Sequence, residues 1–171
     1  MRHQTLEQMR AEHEILRHDP QKYVEMMTGY IQDDPNDAHA YFSRHQGWEK
    51  LGRFDDALAD LDKSLNLEQH FIGYFARGEL LVRMGRYQEA LADFNRALEL
   101  DREEWLGSWG VLHRADCYAR LGNEEAALAD CARFGDDFSH PGFGGLPGGN
   151  KAEVTAEIRR RARAAKQNLK S

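Results

Sequence analysis

The sequence has few cysteines, few prolines and no long apolar run. Cys117 and Cys131 are the only cysteines among 171 residues, too few for the disulfide framework of a small secreted protein and typical of a reducing compartment. No apolar stretch approaches the roughly 18 residues that a membrane-spanning helix needs. The first ten residues lack the apolar core of a secretory signal. These absences predict a soluble, cytoplasmic protein that does not enter a membrane.

The residues that are abundant predict helices. Ala, Leu, Glu, Arg and Asp dominate, and β-branched runs typical of strands are missing. The net charge of −6 is unevenly distributed, because residues 151–171 carry a net of +5 and the preceding residues therefore carry −11. Nucleic-acid binders usually combine a basic patch with a basic overall charge or nearby stacking aromatics, and neither is present. We therefore expect the basic segment to be a solvated helix face, with no nucleic-acid partner.

One sequence phrase occurs twice, 33 residues apart. Residues 52–67 (GRFDDALADLDKSLNL) and 85–100 (GRYQEALADFNRALEL) are identical at eight of sixteen positions, and 122–134 is a weaker third copy. Matched segments precede the three copies at 38–51, 71–84 and 108–121. Self-similarity at this period is the mark of a repeat architecture. Each unit therefore predicts a helix, a glycine turn and a second helix, stacked on its neighbours.

The repeating unit resembles the tetratricopeptide repeat (TPR) family, which has large, small, glycine and aromatic residues at fixed positions of a 34-residue unit. The matching positions are Tyr41, Gly52, Phe54, Ala57 and Leu61 in the first unit, Tyr74, Gly78, Gly85, Tyr87, Ala90, Phe94 and Ala97 in the second, and Ala115, Tyr118, Gly122, Ala127 and Cys131 in the third. His45, Val111 and Glu124 depart from the family pattern. The resemblance implies an all-α fold, a right-handed superhelical array of TPR helix-turn-helix units.

The array predicts four segments along the chain. They are an N-terminal helix pair at 1–37, three TPR units at 38–134 (38–70, 71–107 and 108–134), a Gly/Pro-rich loop at 135–150 and a basic C-terminal capping helix at 151–171. Counting 34 residues back from Ala38 also fits a degenerate leading repeat. In the capping helix, Asn150 and Glu153 form a capping-box pattern, and the apolar stripe comprises Val154, Ile158, Ala162, Ala165 and Leu169.

Two charged columns recur at fixed positions of the units. The first helices carry Arg44, Arg77 and Arg114, and the second helices carry Asp60, Asp93 and Asp130. Because the two columns lie at similar heights on antiparallel helices, we expect one Arg–Asp pair within each unit. A recurring charge pair at a repeat position indicates a structural role rather than catalysis.

The sequence offers no convincing catalytic or metal-binding motif. HEILRH at 13–18 has one residue too many for the zinc-protease HExxH motif, so its two histidines lie about 140° apart around a helix. The glycine-rich loop has Asn150 where a phosphate loop needs lysine. Cys131 occupies a core position, which favours a buried free thiol. We therefore expect no enzyme activity, no metal and no cofactor.

The resemblance implies a concave groove, lined by the first helices, that holds a protein or peptide. The implied partner-binding residues are His39, Phe42, Gln46, Glu49, Ile72, Phe75, Glu79, Val82, Trp109, Leu112 and Asp116. The Lys/Asn clamp with which one TPR subclass grips a C-terminal carboxylate is absent. The groove should prefer an apolar, basic-flanked segment, unless the C-terminal helix folds back and fills it with Val154 and Ile158.

The predicted function is non-catalytic protein binding by a monomer, with a homodimer as the alternative state. Two other functions remain open: a bacterial immunity or antitoxin-like protein that neutralises a basic toxin, and a self-assembling scaffold. The third unit also has an insertion at 101–109, where Trp105 and Trp109 share a helix face. These tryptophans fit a binding hot spot and a plug between units equally well.

Overall fold

The computed structural model describes residues 5–101, 109–143 and 146–169 of the chain. Most of these residues are helical, which confirms the predicted all-α class. The chain divides into two compact units, unit 1 at 1–77 and unit 2 at 78–171, with the boundary inside one helix. Residues 102–108 of the insertion at 101–109, including Trp105, lie outside the described residues.

Unit 1 contains two antiparallel helix pairs and the start of a fifth helix. Its helices are α1 (Leu6–His18), α2 (Pro20–Asp33), α3 (Ala38–Lys50), α4 (Phe54–Leu67) and the first part of α5 (Phe71–Arg83). Polar caps set several of their starts: Asp19 Oδ1 accepts the Lys22 N–H at 3.0 Å, and Asp37 Oδ1 accepts the Ala40 N–H at 3.0 Å. Pro20 at the first position of α2 explains why α1 and α2 are separate helices.

The core of unit 1 lies between its helices. Leu16, Tyr23 and Met27 form a buried cluster between α1 and α2. Gly47 permits α2 and α3 to approach closely, because a Cβ there would lie 2.6 Å from Val24 Cγ2. His45, at a position where the family has a small residue, is buried. Its ring packs edge-on against Phe42, with centroids 4.8 Å apart.

In the described residues of unit 2, four helices and a β-hairpin follow the end of α5. These elements are α6 (Tyr87–Leu100), α7 (Gly110–Arg120), α8 (Glu124–Cys131), β1 (Ser139–Phe143), β2 (Leu146–Asn150) and α9 (Lys151–Asn168). The glycines that begin the recurring phrase, Gly52, Gly85 and Gly122, all have φ between +71° and +77°. This left-handed conformation favours glycine and produces the same turn between paired helices in each case.

The hairpin corrects the prediction of a loop at 135–150. Ser139 lies opposite Asn150, and His140 lies opposite Gly149, in an antiparallel pair. Its glycines and prolines exclude a helix, as expected, but they also give little indication of a strand. Burial stabilises the hairpin instead, because the side chains of His140 and Leu146 are each only 3% exposed.

α9 begins at the predicted capping box. Asn150 Oδ1 accepts the backbone N–H groups of Ala152 and Glu153, and the Glu153 side chain accepts the Asn150 N–H at 2.8 Å. The buried face of α9 is formed by Val154, Ile158 and Ala162. This helix packs against both α7 and α8 within unit 2, so three residues of the predicted apolar stripe pack inward. Leu169 is 76% exposed.

Buried arginine–aspartate pairs join the helices of a repeat, as predicted. Arg44 donates to both Asp60 oxygens at 2.8 and 2.7 Å, and Arg114 donates to both Asp130 oxygens at the same two distances. These fork-shaped hydrogen bonds raise the pKa of each arginine. Asp93, in the middle repeat, is also buried.

Each arginine of the column also donates to a side chain of the preceding helix. Nη1 bonds Thr28 at 3.0 Å from Arg44, Asp62 at 2.7 Å from Arg77 and Asn95 at 2.9 Å from Arg114. Asp62 and Asn95 occupy the twenty-fifth position of their repeats, counted from residues 38 and 71. Thr28 would occupy the same position if a repeat began at residue 4, and the degenerate leading repeat stays a prediction.

We predict that Arg114→Met lowers the free energy of unfolding of unit 2 by about 3 to 5 kcal/mol, because it leaves the Asp130 carboxylate buried without its main counter-ion. Urea unfolding followed by circular dichroism measures this change. The double variant Arg114→Met/Asp130→Leu should recover most of the loss, since both charges are gone. The control Arg96→Met removes an arginine from an exposed pair with Glu99 and should cost less than about 1 kcal/mol. Equal losses in Arg114→Met and the control would contradict the structural role of the buried pair.

Candidate functional site

Unit 1 contains a cleft of about 920 Å³ that brings together three of the predicted partner-binding residues, His39, Phe42 and Ile72. Ile72 is 58% exposed, His39 is exposed and Phe42 is half-buried. The cleft has further walls that the sequence analysis did not assign to the site: Asp33, Asp34, Asn36, Asp37, Ala38, Leu67, Glu68 and His70. The cleft therefore combines apolar and acidic side chains in its lining. We call the apolar pair Phe42 and Ile72 its floor, and the four carboxylates its rim: Asp33, Asp34, Asp37 and Glu68.

The other predicted residues of unit 1 do not line this cleft. Gln46 and Glu49 are half-buried farther along α3. Phe75 is also half-buried, and its ring stacks on Phe71 with centroids 6.0 Å apart. These three residues remain predictions for a longer groove along the first helices.

The acidic rim was missed because part of it serves as caps. Asp34 Oδ1 accepts the Asn36 N–H at 3.0 Å, and Asp37 caps α3. The sequence analysis identified Asp34–Asp37 only as a helix junction. Asp33 ends α2 and Glu68 follows the end of α4, so their approach to Asp37 depends on how the helices pack. Local sequence carries no signal of that proximity.

His70 lies in the wall of the cleft as a neutral imidazole. Its Nδ1 accepts the Gly73 N–H at 3.0 Å, which requires an unprotonated Nδ1. Burial lowers the pKa of His70 and outweighs the raising effect of Glu68. His70 also meets the Phe42 ring edge-on, with centroids 5.5 Å apart. At neutral pH it therefore adds no positive charge to the cleft.

In unit 2, two predicted partner-binding residues are buried. Leu112 and Asp116 are each 1% exposed, because α7 packs beneath α9. Asp116 accepts hydrogen bonds from Arg120 Nε at 2.7 Å and from Arg161 Nη1 of α9 at 2.9 Å. The sequence indicates Leu112 as a source of binding energy and Asp116 as a residue that selects basic partners, but both side chains are inaccessible to a partner in this arrangement. The C-terminal helix contacts this groove position through Arg161, whereas the sequence analysis considered only its apolar residues Val154 and Ile158.

Trp109, Glu79 and Val82 have different surroundings in unit 2. Trp109 is 43% exposed and meets the rings of His140 and Phe138 edge-on, at 5.1 and 6.0 Å between centroids. Val82 is half-buried. Glu79 Oε1 lies 3.1 Å from His113 Nε2. The sequence analysis did not predict that Trp109 contacts the hairpin. The aromatic residues Phe134 and Phe138, just before β1, could have indicated an aromatic cluster there.

Three buried titratable groups of unit 2, His113, Cys117 and Cys131, are held in their neutral forms. Burial lowers the pKa of His113 to about 3, and His140 contributes in the same direction. Glu79 would favour the charged imidazole, but its carboxylate is 40% exposed, so solvent screens it and burial dominates. Burial also raises the pKa of Cys117 to about 12 and of Cys131 to about 11. Both thiols are buried, as the sequence analysis predicted for Cys131.

Two further properties concern metals and membranes. Among the residues that the structure describes, no three His, Cys, Asp or Glu side chains form a cluster suited to a metal ion. None of the helices in the described ranges has the length and apolar character needed to cross a bilayer.

Comparison with known sequences identifies one repeat directly. The sequence model of the family described as tetratricopeptide repeat matches residues 71–104, which lie within the second predicted unit. No curated protein is similar enough in sequence to count as a relative. The resemblance to the TPR family is thus confirmed at the repeat that matched the family pattern best.

Solved structures of TPR proteins share the fold. YrrB, described as a TPR protein with an unusual peptide-binding site, has a TM-score of 0.62 at 19% identity, over 70% of this chain and 62% of YrrB. A MamA structure has a TM-score of 0.69 at 13% identity, over 95% of this chain and 84% of that one. MamA from Desulfovibrio magneticus RS-1, starting at its residue 41, has a TM-score of 0.66 at 13% identity and covers 95% of both chains. Identities this low establish a likeness of fold alone.

We predict that unit 2 loses stability as the pH falls below about 6.5, the ordinary pKa of histidine. The folded pKa of His113 is depressed to about 3, so between these values the unfolded chain binds a proton that the folded chain does not. The loss from His113 should reach about 2 kcal/mol between pH 7 and pH 5. Urea unfolding at both pH values measures it. His113→Gln keeps an N–H donor for Glu79 and should remove most of this pH dependence; an unchanged pH dependence would contradict the assignment to His113.

Proposed function

We propose that the chain, whose residues 71–104 match the tetratricopeptide repeat family and whose fold resembles that of YrrB, is a non-catalytic protein-interaction module. Its partner would be a protein or peptide that presents an apolar, basic-flanked segment to the first helices of the repeats. The observation that carries this proposal is the cleft of unit 1, where exposed Ile72 and half-buried Phe42 form an apolar floor. Concave apolar sites with a few convergent polar groups are the usual form of binding sites in proteins.

The binding energy would come from apolar and aromatic side chains that remain accessible. Ile72 and Phe42 are central, and the proposed surface extends to His39, Gln46, Glu49 and Phe75 in unit 1. In unit 2, considered by itself, the proposed binding residues are Glu79, Val82 and Trp109, because Leu112 and Asp116 are buried. Large side chains that lose contact with water on binding usually supply most of the affinity of an interface.

The basic residues of α9 are paired with carboxylates, and this pairing favours a protein partner over a nucleic acid. Arg160 and Arg161 are held by Glu157, and Arg163 donates to Glu124. Hydrogen bonds from both arginines hold the pKa of Glu157 at about 2. Arginines already paired with carboxylates offer less positive charge to phosphates.

Neutralisation of a basic toxin is a special case of the proposed function. It would use the same acidic cleft, and the identity of the partner distinguishes it from other interactions. A self-assembling scaffold is a separate alternative, in which light scattering would show a mass that rises with protein concentration. For the proposed module we expect a monomer in a cytoplasmic setting.

We predict that Ile72→Lys abolishes partner capture, because it puts a charged side chain on the apolar floor of the cleft. The measurement is affinity capture from a lysate of the native host, followed by mass spectrometry. Met9→Lys is a matched control: Met9 on α1 is 52% exposed, against 58% for Ile72, and the charge change is the same.

A partner held by the wild type and by Met9→Lys, but not by Ile72→Lys, is the expected result. Circular dichroism should show that all three proteins are equally helical, since both substituted residues are exposed. Equal capture by all three proteins would place the binding surface outside the cleft and contradict the proposed site.

A further inference from the structure

The rim of the unit 1 cleft concentrates negative charge. Asp33, Asp34, Asp37 and Glu68 contribute four carboxylates, and none of the described residues that line the cleft is a lysine or an arginine. His70 is neutral when its Nδ1 accepts the Gly73 N–H. Carboxylates gathered around one concave surface raise the local affinity for a cation and steer it toward the site.

Hydrogen bonds to nearby backbone N–H groups account for only half of these carboxylates. Asp34 and Asp37 accept backbone N–H groups and stabilise the junction before α3. Asp33 is the last residue of α2, and Glu68 is the residue that ends α4. A carboxylate at a helix C-terminus is unfavourable, because that end of the helix dipole is already negative. Asp33 and Glu68 therefore add negative charge at positions that the helix dipole disfavours.

The floor of the cleft suits the rest of a cationic side chain. The Phe42 ring can face a cation and pack against its alkyl stem. Ile72 provides exposed apolar surface beside it. A cleft of about 920 Å³ is near the upper end of the range for small-molecule sites, roughly 300 to 1,000 Å³. It therefore has room for a cationic side chain together with an apolar neighbour from the same segment.

We propose that this cleft recognises one lysine or arginine side chain of the partner, next to an apolar side chain that packs on Ile72 and Phe42. This inference rests on the proposed protein-binding function and locates its basic selectivity in Asp33 and Glu68. Asp116, which the sequence suggested for that role, is paired with Arg120 and Arg161. The ammonium or guanidinium group would lie among the rim carboxylates and donate N–H hydrogen bonds to their oxygens.

A random peptide library displayed on phage tests the proposal and does not require the natural partner. The library is selected on the wild type, on Asp33→Asn/Glu68→Gln and on the control Glu14→Gln/Glu25→Gln. The control neutralises two exposed carboxylates of α1 and α2, so both variants change the net charge equally. Asp34 and Asp37 are left intact because they cap. The cleft variant should be at least as stable as the wild type, since it removes charge from two helix C-termini.

The selected sequences separate the possible results. The wild type and the control should enrich peptides with Lys or Arg beside an apolar residue, and the cleft variant should enrich apolar peptides without that preference. Apolar peptides without basic residues on the wild type, or an unchanged basic preference on the cleft variant, would overturn the cationic subsite while leaving the protein-binding function in place. A wild type that enriches no sequence above an uncoated surface would overturn the proposed function and, with it, the subsite.

A double-mutant cycle with one selected peptide then tests whether its basic residue contacts Asp33 and Glu68. Fluorescence anisotropy should show about a tenfold loss of affinity in Asp33→Asn/Glu68→Gln, which corresponds to about 1.4 kcal/mol. Replacing the basic residue of the peptide by glutamine should cost a similar factor on the wild type and little on the cleft variant. Equal losses on both proteins would show that the basic residue binds elsewhere and would overturn the proposal. Comparing Lys with Arg in the same peptide identifies which cation the cleft prefers.

Discussion

The repeats depend on one arginine in the first helix of each repeat, which is buried at Arg114 and half-buried at Arg44 and Arg77. Arg114 holds both oxygens of Asp130 and also reaches Asn95 on the preceding helix, so one side chain ties together three helices of unit 2. Arg44 makes the corresponding contacts to Asp60 and Thr28 in unit 1. A buried guanidinium tolerates little displacement, because each lost partner leaves a charge without compensation. The helices are therefore held in one register, as well as packed through apolar contact.

This constraint explains which parts of the fold were predictable. Three features recur at a fixed period: the turn glycines, the small residues where helices pack closely, and the Arg–Asp columns. Each of them acts through neighbours in the same repeat or the adjacent one. The contact of Arg44 with Thr28 extends that register into 1–37, where the family pattern has faded but a polar side chain remains at the required position. Local rules fail at the hairpin, where burial of His140 and Leu146 gives strand structure to a segment rich in glycine and proline.

The candidate site was less predictable than the fold, for a related reason. Groove positions assigned by repeat arithmetic are equivalent only if the same elements surround them. Gln46 and Asp116 occupy the same repeat position, but Asp116 lies under α9 and pairs with Arg161, whereas Gln46 remains half-buried on α3. The helix α9, which follows the repeats, thus changes the surroundings of α7, the first helix of the last repeat. The periodicity of the repeats carries no signal of that change.

The same reasoning separates structural from functional charge in unit 1. Asp37 stabilises α3 by accepting a backbone N–H, so its presence in the cleft needs no ligand to explain it. Asp33 and Glu68 oppose the dipoles of the helices that they end. The proposed cationic subsite would give both carboxylates a role, because a bound lysine or arginine would offset the unfavourable charge at the two helix ends beside Phe42 and Ile72.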